Sequence, residues 1–199
     1  MSYSQFTLAK AVADFNLVLV EVPQFLPEVA PITPSPTLTE FLETSLPLTA
    51  TGSEKARSEG IIYPILWEVK RLLFSQVSLF SGEEFDVDST VGLNGICDFI
   101  LSRSVEQLFI QAPVVILTEA KKADIRTGLG QCVAEMVAAQ RFNAAAERSI
   151  TTVYGCVTSG TQWRFLKLEG QTVTIALTDY PLPPVDQILG FLIWMVREG

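Results

Sequence analysis

Three side chains at the ends of two apolar runs carry the chemistry that the sequence suggests. Asp98 is a lone charge inside "ICDFIL", and "VVILTEAKKAD" closes a buried-strand pattern with Glu119 and Lys121. An unpaired charge in a low-dielectric interior is costly, so charge at such a strand end calls for a partner. Alternate residues of a strand share a face. Glu119 and Lys121 therefore point the same way, and if the two strands are neighbours Asp98 converges on them. Carboxylates that meet repel unless a cation or proton neutralises them. An ion of the magnesium or manganese type, hard and oxygen-seeking, is satisfied by two carboxylates, waters and a phosphate oxygen. It acidifies a bound water and offsets charge on a phosphoryl oxygen. A neighbouring lysine orients that water or stabilises the transition state. These parts suit hydrolysis of a phosphodiester. A second E-x-K, Glu68-Val69-Lys70, serves as a control: it lies in a helical pattern, where residues two apart diverge by about 200°.

Composition narrows the alternatives. The 199-residue chain has no histidine, which removes Ser-His-Asp and Cys-His catalysis and histidine-ligated zinc. Its three cysteines, Cys97, Cys132 and Cys156, are scattered, so neither a disulfide framework nor a cysteine zinc site is expected, and a reducing cytoplasm is the expected setting. Cys132 reads as a packed small residue, since no histidine can activate it. The net charge of −8 argues against a strongly basic nucleic-acid grip. The chain is 48% hydrophobic, so a large core is expected. The apolar runs "FNLVLV" and "ILGFLIWMV" fall short of a membrane span, and neither a signal peptide nor a membrane partner is expected.

The elements that must position these groups follow from periodicity. Residues 1–52 read as an arm or adaptor, with a short helix in "FTLAKAVADF", an extended proline-rich stretch and a second helix capped by Thr37 or Thr39. Residues 53–199 read as the main domain. "SEKARSEGIIYPILWEVKRLLF" is a helix broken or kinked near Pro64. Ile62, Leu66, Val69 and Leu73 line its inner face, Glu59 falls on that stripe, and Glu68 lies opposite. Strands follow in "EEFDVD", "GICDFILSRS" and "PVVILTEAKKA", then an alanine-rich helix from "DIRTGLGQCV", strands on either side of "SGT", a strand in "QTVTIAL" and a final helix entered through proline. That order implies an α/β layer fold around a central mixed sheet flanked by helices. Trp67, Trp163 and Trp194 are expected in the core or at an interface.

The combination "EGIIYPILWEV … CDFIL … LTEAKK … GLGQCVAEMV" resembles the PD-(D/E)XK, or restriction endonuclease-like, nuclease superfamily, and in particular the N-terminal nuclease domain of type I restriction enzyme R subunits. The resemblance covers about residues 53–168. It implies a core in the order αβββαβ, with Asp98 as the motif aspartate, Glu119 and Lys121 as the E-x-K pair, Glu59 as the acid of the first helix and Gln131 as the polar residue of the next. It further implies a Mg²⁺ or Mn²⁺ ion on Asp98, Glu119 and Glu59, and a nucleic-acid substrate, DNA in preference to RNA. Cys97 replaces the usual proline before the aspartate. Lys122 and Arg126 are candidate phosphate contacts. The apolar final helix makes a homodimer attractive, since paired sites would cut both strands of a duplex. A non-catalytic binding or assembly module of the same fold is the alternative, and a small-molecule hydrolase on another fold ranks behind it. Taken singly, each charge also reads as a solvated surface group; order and spacing together favour a site.

Overall fold

The structure, a computed structural model, describes residues 2–198 apart from 75, 123 and 149. Along the chain run α1 (Leu8–Asp14), β1 (Val18–Val22), α2 (Pro36–Thr49), α3 (Glu54–Arg57), α4 (Tyr63–Leu73), β2 (Ser78–Glu84), β3 (Ile96–Ser102), β4 (Val114–Ala120), α5 (Leu129–Ala145), β5 (Thr152–Thr158), β6 (Gln162–Glu169), β7 (Thr172–Ala176), β8 (Tyr180–Pro181) and α6 (Asp186–Glu198). The strands form one mixed sheet in the order β1-β7-β6-β5-β4-β3-β2, with β8 added beside β6. The pairs β1–β7 and β4–β5 are parallel and the remainder antiparallel. The chain is thus a mixed α/β fold with helices on both faces of an open sheet.

Strands β4 and β5 lie at the centre and are buried at every position, as strands covered on both faces must be. One face packs against α2, α4 and α6, with Leu66, Phe99, Ile116 and Leu192 in a single apolar cluster. The other packs against α5 and the N-terminal residues, with Tyr3, Phe6, Leu117 and Val133 together. Close approach requires glycine at two places. A Cβ on Gly155 of β5 would sit 2.4 Å from the Met136 sulfur of α5, and one on Gly130 would sit 2.3 Å from the Phe6 carbonyl oxygen. Residues 2–52 are woven into this architecture: β1 is a sheet edge, and Phe15 and Leu38 lie in the two cores. Helix α2 is capped by Ser35, whose hydroxyl accepts from the Leu38 N–H with Pro36 following it, and not by Thr37 or Thr39.

Helix α6 covers the sheet within its own chain, with Ile188, Phe191, Leu192 and Met195 buried. The irregularity expected near Pro64 takes the form of a π turn, Ser58–Ile62, between α3 and α4. Pro64 has no N–H to offer the Gly60 carbonyl four residues back, and the Ser45 hydroxyl bonds that oxygen at 2.8 Å instead. A π turn takes more residues per revolution than an α turn, so α-helical spacing assigns the wrong face to residues before Ile62. Glu59 is consequently exposed and paired with Lys55 at 3.2 Å, while Glu68, expected outside, is buried against Ser35 and Arg71. No helix among the described residues is long and apolar enough to cross a membrane.

Candidate active site

Antiparallel β3 and β4 pair Phe99 with Thr118 and Ile100 with Leu117. The next step in that register sets Asp98 opposite Glu119, on the face that α5 covers. The Asp98 Oδ2 accepts the Ala120 N–H at 2.8 Å, which locks the carboxylate across the strand pair. Beyond the end of β4, the Lys121 N–H donates to the Thr158 carbonyl at 2.8 Å. The chain therefore stays extended for one more residue, and Lys121 shares the face of Glu119. Its ammonium donates to the Glu119 Oε1. Gly128, at the start of α5, makes room for this pair: a Cβ there would lie 3.1 Å from both the Glu119 Cγ and the Lys121 Cε, and 2.7 Å from Val157.

Gln131, on the first turn of α5, reaches the same point. Its Nε2 donates to the Glu119 Oε2 at 2.8 Å and to the Glu135 Oε1 at 3.0 Å. Glu135 was not anticipated from the sequence. It is fully buried, and its second oxygen has no hydrogen-bond partner. Its spacing of four from Gln131, which places both on one side of α5, was the available signal, hidden by the habit of reading an acid among alanines as solvated. Asp98, Glu119, Lys121 and Gln131 are thus brought together as expected, with Glu135 as a fifth member.

Electrostatics mark the cluster as short of positive charge. Burial pushes Glu119 far above the usual carboxylate range, the Glu135 and Asp98 charges add to that shift, and Lys121 opposes it. Glu135 is raised by its own burial, with the Gln131 hydrogen bond pulling the other way. Asp98 is raised by burial despite the Ala120 N–H. Burial works against the Lys121 ammonium, yet the Glu119 charge and hydrogen bond outweigh it and leave Lys121 raised. Two buried acids, Glu119 and Glu135, and the partly buried Asp98 therefore share one lysine.

Other candidates fall elsewhere. Glu59 faces a hollow with Tyr63 and Trp67, away from the cluster, which corrects its assignment as an inward ligand. The acid of that helix whose charge acts on Asp98 and Lys121 is Glu54. Arg57, beside it, donates to the Ser159 carbonyl at 2.9 Å and ties α3 to the same sheet end. Lys122 is exposed, and Arg126 is held by Asp124 through its Nε and Nη2. The Cys132 thiol is buried and its pKa driven up by burial, so it is inert. Trp163 is fully buried, Trp194 packs edge-on to Tyr154, and Trp67 lies outside the core, 48% exposed.

The donors fit a hard divalent cation in kind. They are carboxylate oxygens in excess of local positive charge, and the orphaned Glu135 oxygen lacks the partner that a buried carboxylate requires. Among the described residues no three such side chains surround one point as a ready-made metal site, in keeping with an arrangement in which Lys121 and the Ala120 N–H occupy carboxylate oxygens. Magnesium-type ions are commonly held by one or two carboxylates completed by water and substrate phosphate, and Asp98 with Glu119 supplies that number. No protein-family model matches the chain, and no curated protein is significantly similar to it.

Proposed function

We propose that the chain is a metal-dependent nuclease with a restriction endonuclease-like core, hydrolysing phosphodiesters of nucleic acid, DNA in preference to RNA. The observation that carries this reading is the meeting of Asp98, Glu119 and Lys121 at the ends of adjacent central strands, with Gln131 bridging Glu119 to a further buried acid. Asp98 and Glu119 would hold Mg²⁺ or Mn²⁺, which when bound acidifies water and offsets phosphoryl charge. The Ala120 N–H keeps Asp98 aimed into the site, and Gln131 fixes the rotation of the Glu119 carboxylate. Lys121 is the one cation of the cluster, half-buried and firmly protonated, and it offers a fixed positive charge where the phosphate gathers negative charge in the transition state. Burial keeps competing water from these groups and strengthens each interaction.

Labelled duplex DNA, single-stranded DNA and RNA incubated with Mg²⁺ or Mn²⁺ test this reading. Cleavage is expected, with DNA preferred, and Asp98→Ala, Glu119→Ala and Lys121→Ala should each slow it by at least about a hundredfold. Variants that cut as fast as the parent would sink the assignment. The non-catalytic alternative draws support from Lys121 occupying the Glu119 oxygen. It requires that no substrate be cut and no divalent ion bound.

A further inference from the structure

Glu135 is neither a proposed ligand nor a phosphate contact, yet it is buried without a cation of its own. It projects from the second turn of α5 and is fully buried. Its Oε1 accepts a Gln131 N–H at 3.0 Å, and its Oε2 has no hydrogen-bond partner. No lysine or arginine among the described residues forms an ion pair with it. The neutral groups around it are engaged elsewhere or weak. The Tyr3 hydroxyl, which feels its charge, donates to the Phe85 carbonyl at 2.6 Å. The Cys132 thiol donates to the Cys156 carbonyl at 3.8 Å, and the Cys97 thiol is a further neighbour and a weak donor. The Glu135 charge acts on Glu119, and those of Asp98 and Lys121 act on it.

One amide links it to Glu119. The Gln131 Nε2 has two hydrogens to give, and it bonds Glu119 Oε2 at 2.8 Å and Glu135 Oε1 at 3.0 Å. Turning that amide over would set its oxygen against two carboxylates. Glu135 thereby fixes the amide, and the amide fixes Glu119, whose other oxygen accepts from the Lys121 ammonium. A neutral acceptor at position 135 would hold the amide as well. What an acid adds is charge, and a buried position tolerates charge poorly unless a cation offsets it. Asp98, Glu119 and Lys121, all ionised, sum to a single negative charge, one short of balancing a divalent ion. Glu135 supplies the second.

We propose that Glu135 is a positioning residue for the divalent ion of the Asp98–Glu119 site, orienting Glu119 through the shared Gln131 amide and adding the negative charge that the ion offsets. Groups standing behind metal-holding side chains set affinity in this way, and their loss costs about ten- to a hundredfold. The inference rests on the reading of Asp98 and Glu119 as cation ligands, and it requires no substrate to be cut.

Calorimetric titration of Mn²⁺ into the parent, Glu135→Gln, Gln131→Ala and Asp98→Ala, with thermal unfolding of each in EDTA, tests it. Glu135→Gln is expected to bind the ion at least about tenfold more weakly while unfolding at a higher temperature in the absence of ions. These effects run in opposite directions, which a merely structural role does not produce. Gln131→Ala should also weaken binding by about tenfold, and it keeps the test decisive should Glu135→Gln fail to fold. Circular dichroism on each variant checks the fold. Glu135→Gln or Gln131→Ala binding as tightly as the parent, while Asp98→Ala abolishes binding, would overturn the positioning role and keep the cation site. No binding to the parent would overturn both.

Discussion

Glu135 is the residue that most distinguishes this cluster from a simple strand-end pair. A buried carboxylate oxygen without a partner costs stability, and here it lies beside two further acids. Glu135→Gln keeps the bond from Gln131 and replaces a carboxyl whose pKa burial has raised, a shift that disfavours the folded state at neutral pH. In metal-free protein the substitution is expected to stabilise by about 1 kcal/mol, raising the unfolding midpoint by about 2–4 °C. Thermal unfolding without divalent ions checks this, and a lowered midpoint would contradict it. Asp98, Glu119 and Lys121 were legible in the sequence because a strand's period of two leaves no choice of face. Gln131 came from the resemblance alone. Glu135 was marked only by its spacing of four from Gln131, since a single acid in an alanine-rich helix carries no other mark of its burial.

At the scale of elements, the run from α3 to α4 shows how one local irregularity redistributes charge. The π turn at Ser58–Ile62 sends Glu59 outward, while Glu68 closes against the N-terminal end of α2. The Arg71 hydrogen bonds hold the Glu68 carboxyl below the usual range, burial opposes them, and the Ser35 N–H and hydroxyl reinforce them. A depressed folded pKa gives stability that is present above the unfolded value of about 4.3 and lost as pH falls through the folded one. Glu68→Gln is therefore expected to cost about 1–2 kcal/mol near neutrality, a figure held low because Arg71 is half exposed. In urea titrations this penalty should shrink below pH 4, as the parent carboxyl itself takes up a proton; a penalty unchanged across pH would contradict the assignment. Most strands and helices followed from periodicity. Strand β2, however, begins at Ser78, ahead of the "EEFDVD" expected for it, and β1 was missed. "NLVLV" lacks polar alternation, and its parallel partner β7 lies about 150 residues away, a distance over which local pattern is silent.

For the whole molecule, the high apolar content is explained within one chain. The sheet is covered on both faces, and α6 and the N-terminal residues supply part of that cover. A final helix apolar nearly all round could be assigned either to a partner or to its own sheet, and only tertiary packing decides between them. The layered α/β class was readable because strands and helices alternate along the chain. The integration of residues 2–52 was not, since prolines and short helices look the same in a loose arm as in a fitted one. Negative charge dominates the composition, yet the sheet end around Asp98 also gathers Arg57 and Lys121, so net charge alone is a poor guide to what this end of the molecule binds.

The central claim is that Asp98 and Glu119 form a working cation site. Calorimetric titration of Mn²⁺ into the protein and into Asp98→Ala tests it most directly. The expected result is saturable binding of one ion to the parent, abolished in the variant while its fold persists. Absence of binding to the parent, with a short DNA duplex present as well, would contradict the claim.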